Sequence, residues 1–292
     1  MFKLPKLIAE IGCNHKGDFE IAKELLKIAA DSGAYVAKFQ KRNNKELLTP
    51  DQYNSPHPNP INAYGKTYGE HREFLEFDIS QHKELKKYAE AIGLIYSSSV
   101  WDVTSAKEIV SLEPELIKVP SACNNHFGML KVLRDEYAGE VHISFGMTTH
   151  EEEDAIITFF ENTKQDNRLV LYSCTSGYPV PFEDVCMLEI SRIKNKYQDR
   201  VKEIGFSGHH LGIAADIAAV TLGASWVERH FTLDRTWKGT DHSASLEPDG
   251  LRRLCRDIKN VTMALTHKET EILSIEQVQR DKLKANSIRP LA

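Results

Sequence analysis

Two histidines close two short apolar runs: His209 ends EIGFSGH and His230 ends WVERH. Two residues before each lies another polar group, Ser207 and Glu228 respectively. Side chains two apart along a strand share a face, so each pair can point the same way. If the two runs are neighbouring strands, their axes lie roughly 4.8 Å apart. His209 and His230 could then share one divalent ion through imidazole nitrogens. Two neutral ligands leave positions open for substrate oxygens, which suits a Lewis-acid role. A single strand histidine is ordinarily a hydrogen-bonded core residue; the matched pair is what points to ligation. His210 faces the other way and reads as structural, and His57, His71, His82 and His267 read as surface or loop residues.

Lys38 and Lys118 sit inside apolar runs, where an unpaired ammonium is expensive. Such a lysine serves an ion pair, a Schiff base, or the binding of a phosphate or carboxylate. Serines end several of the other runs, among them Ser99, Ser121, Ser144, Ser176 and Ser207. Hydroxyls and backbone N–H groups complete an anion cradle, which favours the third use. Glu10, mid-run before Gly12, reads as the partner of a lysine. Asp241, in GTDHSASLEP, can either reach the same mouth or serve as a turn residue beside Gly239. Trp101, Tyr88 and the Phe159-Phe160 pair read as packing residues.

These groups need strands to converge them. The candidate runs are 6–13, 35–40, 94–99, 116–121, 141–145, 168–174, 203–209 and 226–231, alternating with amphipathic stretches such as FEIAKELLKIAADSG and SQHKELKKYAEAIG. IAADIAAVTLGA has helical spacing and ends on Gly223, a C-terminal cap. A last helix is expected from Asp249 to about Leu265. Eight strand–helix units predict an α/β fold, a (β/α)8 barrel occupying residues 1–265, whose active sites form at strand C-termini. A doubly wound sheet is the competitor, but EIGCNHKG lacks the GxGxxG spacing that would support a dinucleotide site. The segment from Asn43 to Phe77, rich in Pro, Asn, Tyr and His, is long enough to be a functional loop or lid. Residues 266–292, with Arg289-Pro290 near their end, read as an extension or linker and not a separate domain.

Composition narrows the function classes. The 292 residues carry 42 acids against 37 Lys and Arg, with 41% apolar and 27% charged residues. No basic stripe appears, so neither nucleic acid nor an anionic membrane is an expected partner. No export signal or eighteen-residue apolar run is present, and five scattered cysteines give neither a disulfide framework nor a zinc ribbon. The expected compartment is the reducing cytoplasm.

The segments AEIGCNHKGD, AKFQ, IKVPSACNN, ISFGMT, SCTSGYPVPFEDV, GFSGHHLGI and VERHFTLDRTWKGTDHSASLEPDGL together resemble the sialic acid synthases. These enzymes condense phosphoenolpyruvate with an N-acylhexosamine on a TIM barrel. The resemblance implies Mn²⁺ or Mg²⁺ on His209 and His230. It places Lys38, Lys118, Ser121, Ser144 and Ser207 around phosphoenolpyruvate, with Ser99 where threonine is usual. It places Glu10, Gln40, Tyr178 and Asp241 toward the aldose acceptor, and Ser176 where some members have asparagine. Glu10 and Asp241 become the candidates for proton transfer, and a homodimer is the family habit. Ser207-Gly208-His209 departs from the usual SDH, and Ser121-Ala122-Cys123 lacks the usual acid. The chain ends before the family's C-terminal antifreeze-like domain, so that domain is expected to be missing. The rival expectations are a Schiff-base aldolase or lyase, and a non-catalytic barrel that binds sugar phosphates.

Overall fold

The structure, a computed structural model, describes residues 3–284. Eight parallel strands close into a barrel in sequence order: β1 (Lys6–Gly12), β2 (Val36–Lys41), β3 (Ile95–Val100), β4 (Leu116–Val119), β5 (Glu140–Ser144), β6 (Leu169–Cys174), β7 (Glu203–Gly208) and β8 (Trp226–His230). All eight expected runs are strands, with ends displaced by a few residues. The fourth stops at Val119 because Pro120 has no N–H to continue the ladder, so Ser121 lies in the following turn.

Around the barrel run α1 (Phe19–Ser32), α2 (Ile79–Ala91), α3 (Val103–Val110), α4 (Phe127–Asp135), α5 (His150–Glu161), α6 (Glu189–Tyr197), α7 (Ala214–Thr221) and α8 (Pro248–Ala264). The Asp18 carboxylate caps α1 by accepting from the Glu20 and Ile21 amides, and Gly33 ends it at φ 90°. Outward-facing strand residues such as Ala9, Phe39, Ile117, Ile143 and Leu171 are fully buried beneath these helices. The strands are therefore apolar on their outer face and divided along their inner one.

That division positions the site. Ile8, Val36, Leu116, Val170, Tyr172 and Trp226 pack as one cluster. Two residues further along their strands stand Glu10, Lys38, Lys118, Tyr172, Cys174 and Glu228, pointing the same way. The barrel floor is thus sealed by apolar bulk while its C-terminal mouth is polar.

The segment after β2 is organised and packed. It contains short helices at Asn44–Leu47, Pro50–Asn54 and Tyr68–Phe74. Tyr64 stacks on Phe74 with ring centroids 4.9 Å apart, and its hydroxyl donates to the Lys238 carbonyl. Three histidines expected at the surface or in loops are buried, His57 in a loop as expected and His71 and His82 on helices. His82 lies on the inner face of α2 with Leu85 and Ala89, its Nδ1 2.7 Å from the Tyr96 hydroxyl. Beyond α8, a further helix, α9 (Ser274–Leu283), buries none of its residues. Arg289-Pro290 lies outside the described residues. Among the described residues no helix is long and apolar enough to cross a membrane, and all five cysteines are free.

Gly205 is forced by the floor. A Cβ there would lie 2.6 Å from Tyr172 Cε1 and 2.9 Å from Trp226 Cβ. Gly205→Ala should destabilise the barrel by about 1–3 kcal/mol through overpacking. The urea unfolding midpoint measures this, and an unchanged midpoint would show slack in the floor.

Candidate active site

Strand register brings the charged residues together. Glu10 is paired with Lys38 on one side and with His230 on the other, Ser99 with Lys118, and Ser207 with Glu228. Lys38 Nζ lies 2.5 Å from Glu10 Oε2 and 3.8 Å from Glu228 Oε2, and donates to Ser99 Oγ at 2.7 Å. Lys118 Nζ donates to Glu228 Oε1 at 2.7 Å and stands 4.2 Å from the centre of the Tyr172 ring. Ser207 Oγ donates to the same Glu228 oxygen at 3.0 Å. Two ammonium groups and two carboxylates thus form a neutral quartet buried at the bottom of the mouth.

Burial alone would raise the Glu228 carboxyl, but Lys118 and then Lys38 hold it well below the usual range, so it is ionised. Burial pulls the Lys118 ammonium below its ordinary value, against the attraction of Glu228.

Above the quartet sit the two histidines, ring centroids 5.5 Å apart. His209 Nδ1 lies 3.0 Å from the Thr175 carbonyl oxygen. A carbonyl only accepts, so Nδ1 carries the proton and Nε2 keeps a free lone pair. Burial and then the neighbouring His230 pull the His209 pKa down to about 3, leaving it neutral near pH 7. His230 Nδ1 is buried without a partner among the described residues. Two imidazoles with unused nitrogens are a donor set that fits one divalent ion. No cluster of three or more His, Cys, Asp or Glu suited to a metal occurs among the described residues. An ion here would take its remaining ligands from substrate and water.

Of the residues expected at the site, the mouth cavity of about 280 Å³ gathers Glu10, Lys38, Gln40, Ser99, Lys118 and Ser121 from the first half of the barrel. From the second half it gathers Ser144, Ser176, Tyr178, Ser207, His209 and His230. Asp241 lies next door, in a cavity of about 630 Å³ that shares Gln40, Trp101, Tyr178 and His230 with the first. Burial opposes ionisation of Asp241, but His230 and the Thr240 hydroxyl carry its pKa below the ordinary value. Asp241 thus stands at a turn, capping the short helix His242–Ala244, and lines the cavity beside the mouth.

Several lining residues were not expected. Glu228 was legible, two residues before His230 on the same face. Trp101, read as packing, lines both cavities and carries the Arg42 guanidinium 4.4 Å from its ring centre. Arg42, Asn59, Asn62 and Arg72 line the larger cavity from the segment after β2, where no strand period announces them. Arg42 is paired with Glu76 at 3.1 Å. Arg72 donates through its Nε and NH2 to the Tyr68 hydroxyl and, among the described residues, to no carboxylate.

The NeuB family profile matches residues 25–270. The chain belongs to the NeuB family. It is 40% identical to the N-acetylneuraminate-9-phosphate synthase of Homo sapiens over 95% of this chain and 76% of that one. It is 34% identical to the N,N'-diacetyllegionaminic acid synthase of Campylobacter jejuni over 89% of this chain and 77% of that one. The crystal structure of N-acetylneuraminic acid synthetase from Leptospira borgpetersenii, in complex with citrate, superposes with a TM-score of 0.80 at 26% identity. It covers 96% of this chain and 93% of that one. The NeuB-family chain is accordingly an enzyme, a carbon–carbon bond-forming synthase of the sialic acid type.

Removing one member of the quartet strands the others. Glu228→Ala leaves Lys118 without its carboxylate and should cost about 3–5 kcal/mol. Chemical denaturation followed by circular dichroism checks this, and a loss below about 1 kcal/mol would contradict the pairing.

Proposed function

We propose that this chain condenses phosphoenolpyruvate with the open-chain aldehyde of an N-acylhexosamine 6-phosphate, releasing inorganic phosphate and a nonulosonic acid 9-phosphate. The observation that carries the reading is the pairing of two cavities across one wall. One has buried lysines and a serine rim, and the other presents Arg72 without a carboxylate partner. The three carbons of the donor are added at acceptor C1, so a phosphate on acceptor C6 becomes a phosphate on product C9. The relatives from Homo sapiens, Mus musculus and Drosophila melanogaster, 37–40% identical, are named for such a product.

In this reading Lys118, with Ser121, Ser144 and Ser207, holds the donor phosphate, and Lys38 with Ser99 the carboxylate side. Each lysine is paired with a carboxylate, Lys38 with Glu10 and Lys118 with Glu228, which favours anion binding over the Schiff-base alternative. Donor C3 forms the new bond to acceptor C1, and the aldehyde oxygen takes a proton to become a hydroxyl. Water adds at donor C2, and the C2–O bond to phosphate breaks to leave the 2-keto acid. Glu10, at the foot of the wall, and Asp241, in the acceptor cavity, are placed to move those two protons. Gln40 and Tyr178, which line both cavities, orient the acceptor. His209 and His230 would hold Mn²⁺ or Mg²⁺, which when bound supplies Lewis acidity toward the acceptor's aldehyde oxygen. We take the compartment as cytoplasmic, the active species as a homodimer, and residues after 265 as an extension of the barrel.

Isothermal titration should find one Mn²⁺ per chain, abolished in His209→Ala and in His230→Ala. Phosphate release from phosphoenolpyruvate should depend on an added acceptor and favour N-acetylmannosamine 6-phosphate over N-acetylmannosamine. Arg72→Ala should raise KM for the phosphorylated acceptor about tenfold or more, equivalent to about 1.4 kcal/mol, while kcat/KM for the neutral sugar stays as it was. No acceptor-dependent release with either sugar would sink the synthase reading. Equal KM changes for both sugars would remove the phosphate from it.

A further inference from the structure

The ladder joining β7 to β8 ends at the Gly208–Arg229 pair. His209 and His230 both lie beyond it, so no backbone bond of that ladder sets their separation. What spans the gap is a side chain on the outer face of the barrel.

Arg229 stands between Glu228 and His230 and, by strand alternation, points away from the mouth. Its guanidinium is 1% exposed. Nitrogen NH2 donates to the carbonyl of His210 at 2.6 Å, fixing the His210–Leu211 peptide, the second one after His209. Nitrogen NH1 donates to the Gly212 carbonyl at 2.8 Å and to Asp216 Oδ2 at 2.5 Å, in the first turn of α7. The His210 ring completes the cluster, its Nε2 3.1 Å from Arg229 NH1 and 3.3 Å from Asp216 Oδ2. Asp216 and His210 are fully buried.

The sequence makes room for this. A Cβ at position 208 would lie 2.9 Å from His210 Cε1 and 2.8 Å from the Phe206 ring, so a glycine is needed for the His210 ring to fold back beneath β7. From the opposite side the Val180 amide donates to the His209 carbonyl at 3.0 Å, and the Thr175 carbonyl holds the His209 ring. The His209–His210 peptide is thus held from one side by Val180 and the next peptide from the other by Arg229, which ties this turn to the strand carrying His230.

We propose that Arg229, with Asp216 and His210, is a positioning clamp that sets the spacing of the His209–His230 pair and thereby the affinity of the site for a divalent ion. The clamp rests on the reading of these two histidines as metal ligands. Groups that orient a metal's ligands without touching the metal typically govern about 10–100-fold in affinity.

The test uses the full chain and Mn²⁺ alone, by isothermal titration and by the electron paramagnetic resonance of bound Mn²⁺. Arg229→Lys keeps a cation beside Asp216 but cannot reach both the His210 carbonyl and the carboxylate. It should bind Mn²⁺ about tenfold more weakly. The double variant Arg229→Met, Asp216→Leu removes both buried charges together, a change that folded proteins often tolerate. It should melt within a few degrees of the parent and bind at least as weakly as Arg229→Lys. Parent-like affinity in Arg229→Lys, or in a folded double variant, overturns the clamp and leaves the metal site standing. If the parent itself takes up no Mn²⁺, the metal reading fails and the clamp fails with it.

Discussion

Four ionised side chains buried inside a barrel set the terms for everything above and below them. Glu10, Lys38, Lys118 and Glu228 are almost wholly withdrawn from water, and an isolated charge so placed would be neutralised or would unfold its surroundings. They persist because the register of β1, β2, β4 and β8 puts each lysine within reach of a carboxylate. The quartet is neutral as a whole, yet each ammonium also faces the cavity. An arriving anion therefore meets donors already aimed and desolvated by the fold.

The floor beneath the quartet is what makes that economy possible. Trp226 and Tyr172 fill the axis, and Gly205 yields the space they need. Tyr172 then serves twice, sealing the floor with its edge and presenting its face to Lys118. Strand β8 supplies Trp226 to the floor and His230 to the rim, and β7 supplies Gly205 below and leads into His209 above. Packing at one end and ligand geometry at the other are consequently coupled through β7 and β8.

What was legible in the sequence follows from which residues are tied to a strand period. Alternation placed Lys38 with Gln40, Ser207 with His209 and Glu228 with His230, because each pair differs by two and the barrel has only one interior. Boundaries slipped where local chemistry intervened, as at Pro120. Arg72, Asn59 and Asn62 were invisible because they come from an irregular segment that is tied to the distant residues Lys238 and Gly239 through Tyr64 and Asn62. Trp101 looked like core since an indole beside a strand usually is. His82 was misjudged although its spacing to Leu85 and Ala89 is helical: a histidine on an apolar face is polar in composition counts and apolar in position.

The two cavities share a wall made of Gln40, Trp101, Tyr178 and His230, and in the proposed reaction the bond between donor and acceptor would form along it. Lys38 and Lys118 lie on the side sealed by the barrel floor, while Arg42, Arg72 and Asp241 lie on the side built from loops. In the proposed reaction a donor anion held from below and an acceptor held from the side would meet across this wall. The rigid half of the site is made of strand residues that the barrel cannot move without breaking register. The acceptor half belongs to segments that can change length and sequence without touching the quartet. Relatives named for neuraminic, legionaminic and pseudaminic acids fit the proposed partition, in which loops would choose the acceptor and strands would carry the shared chemistry.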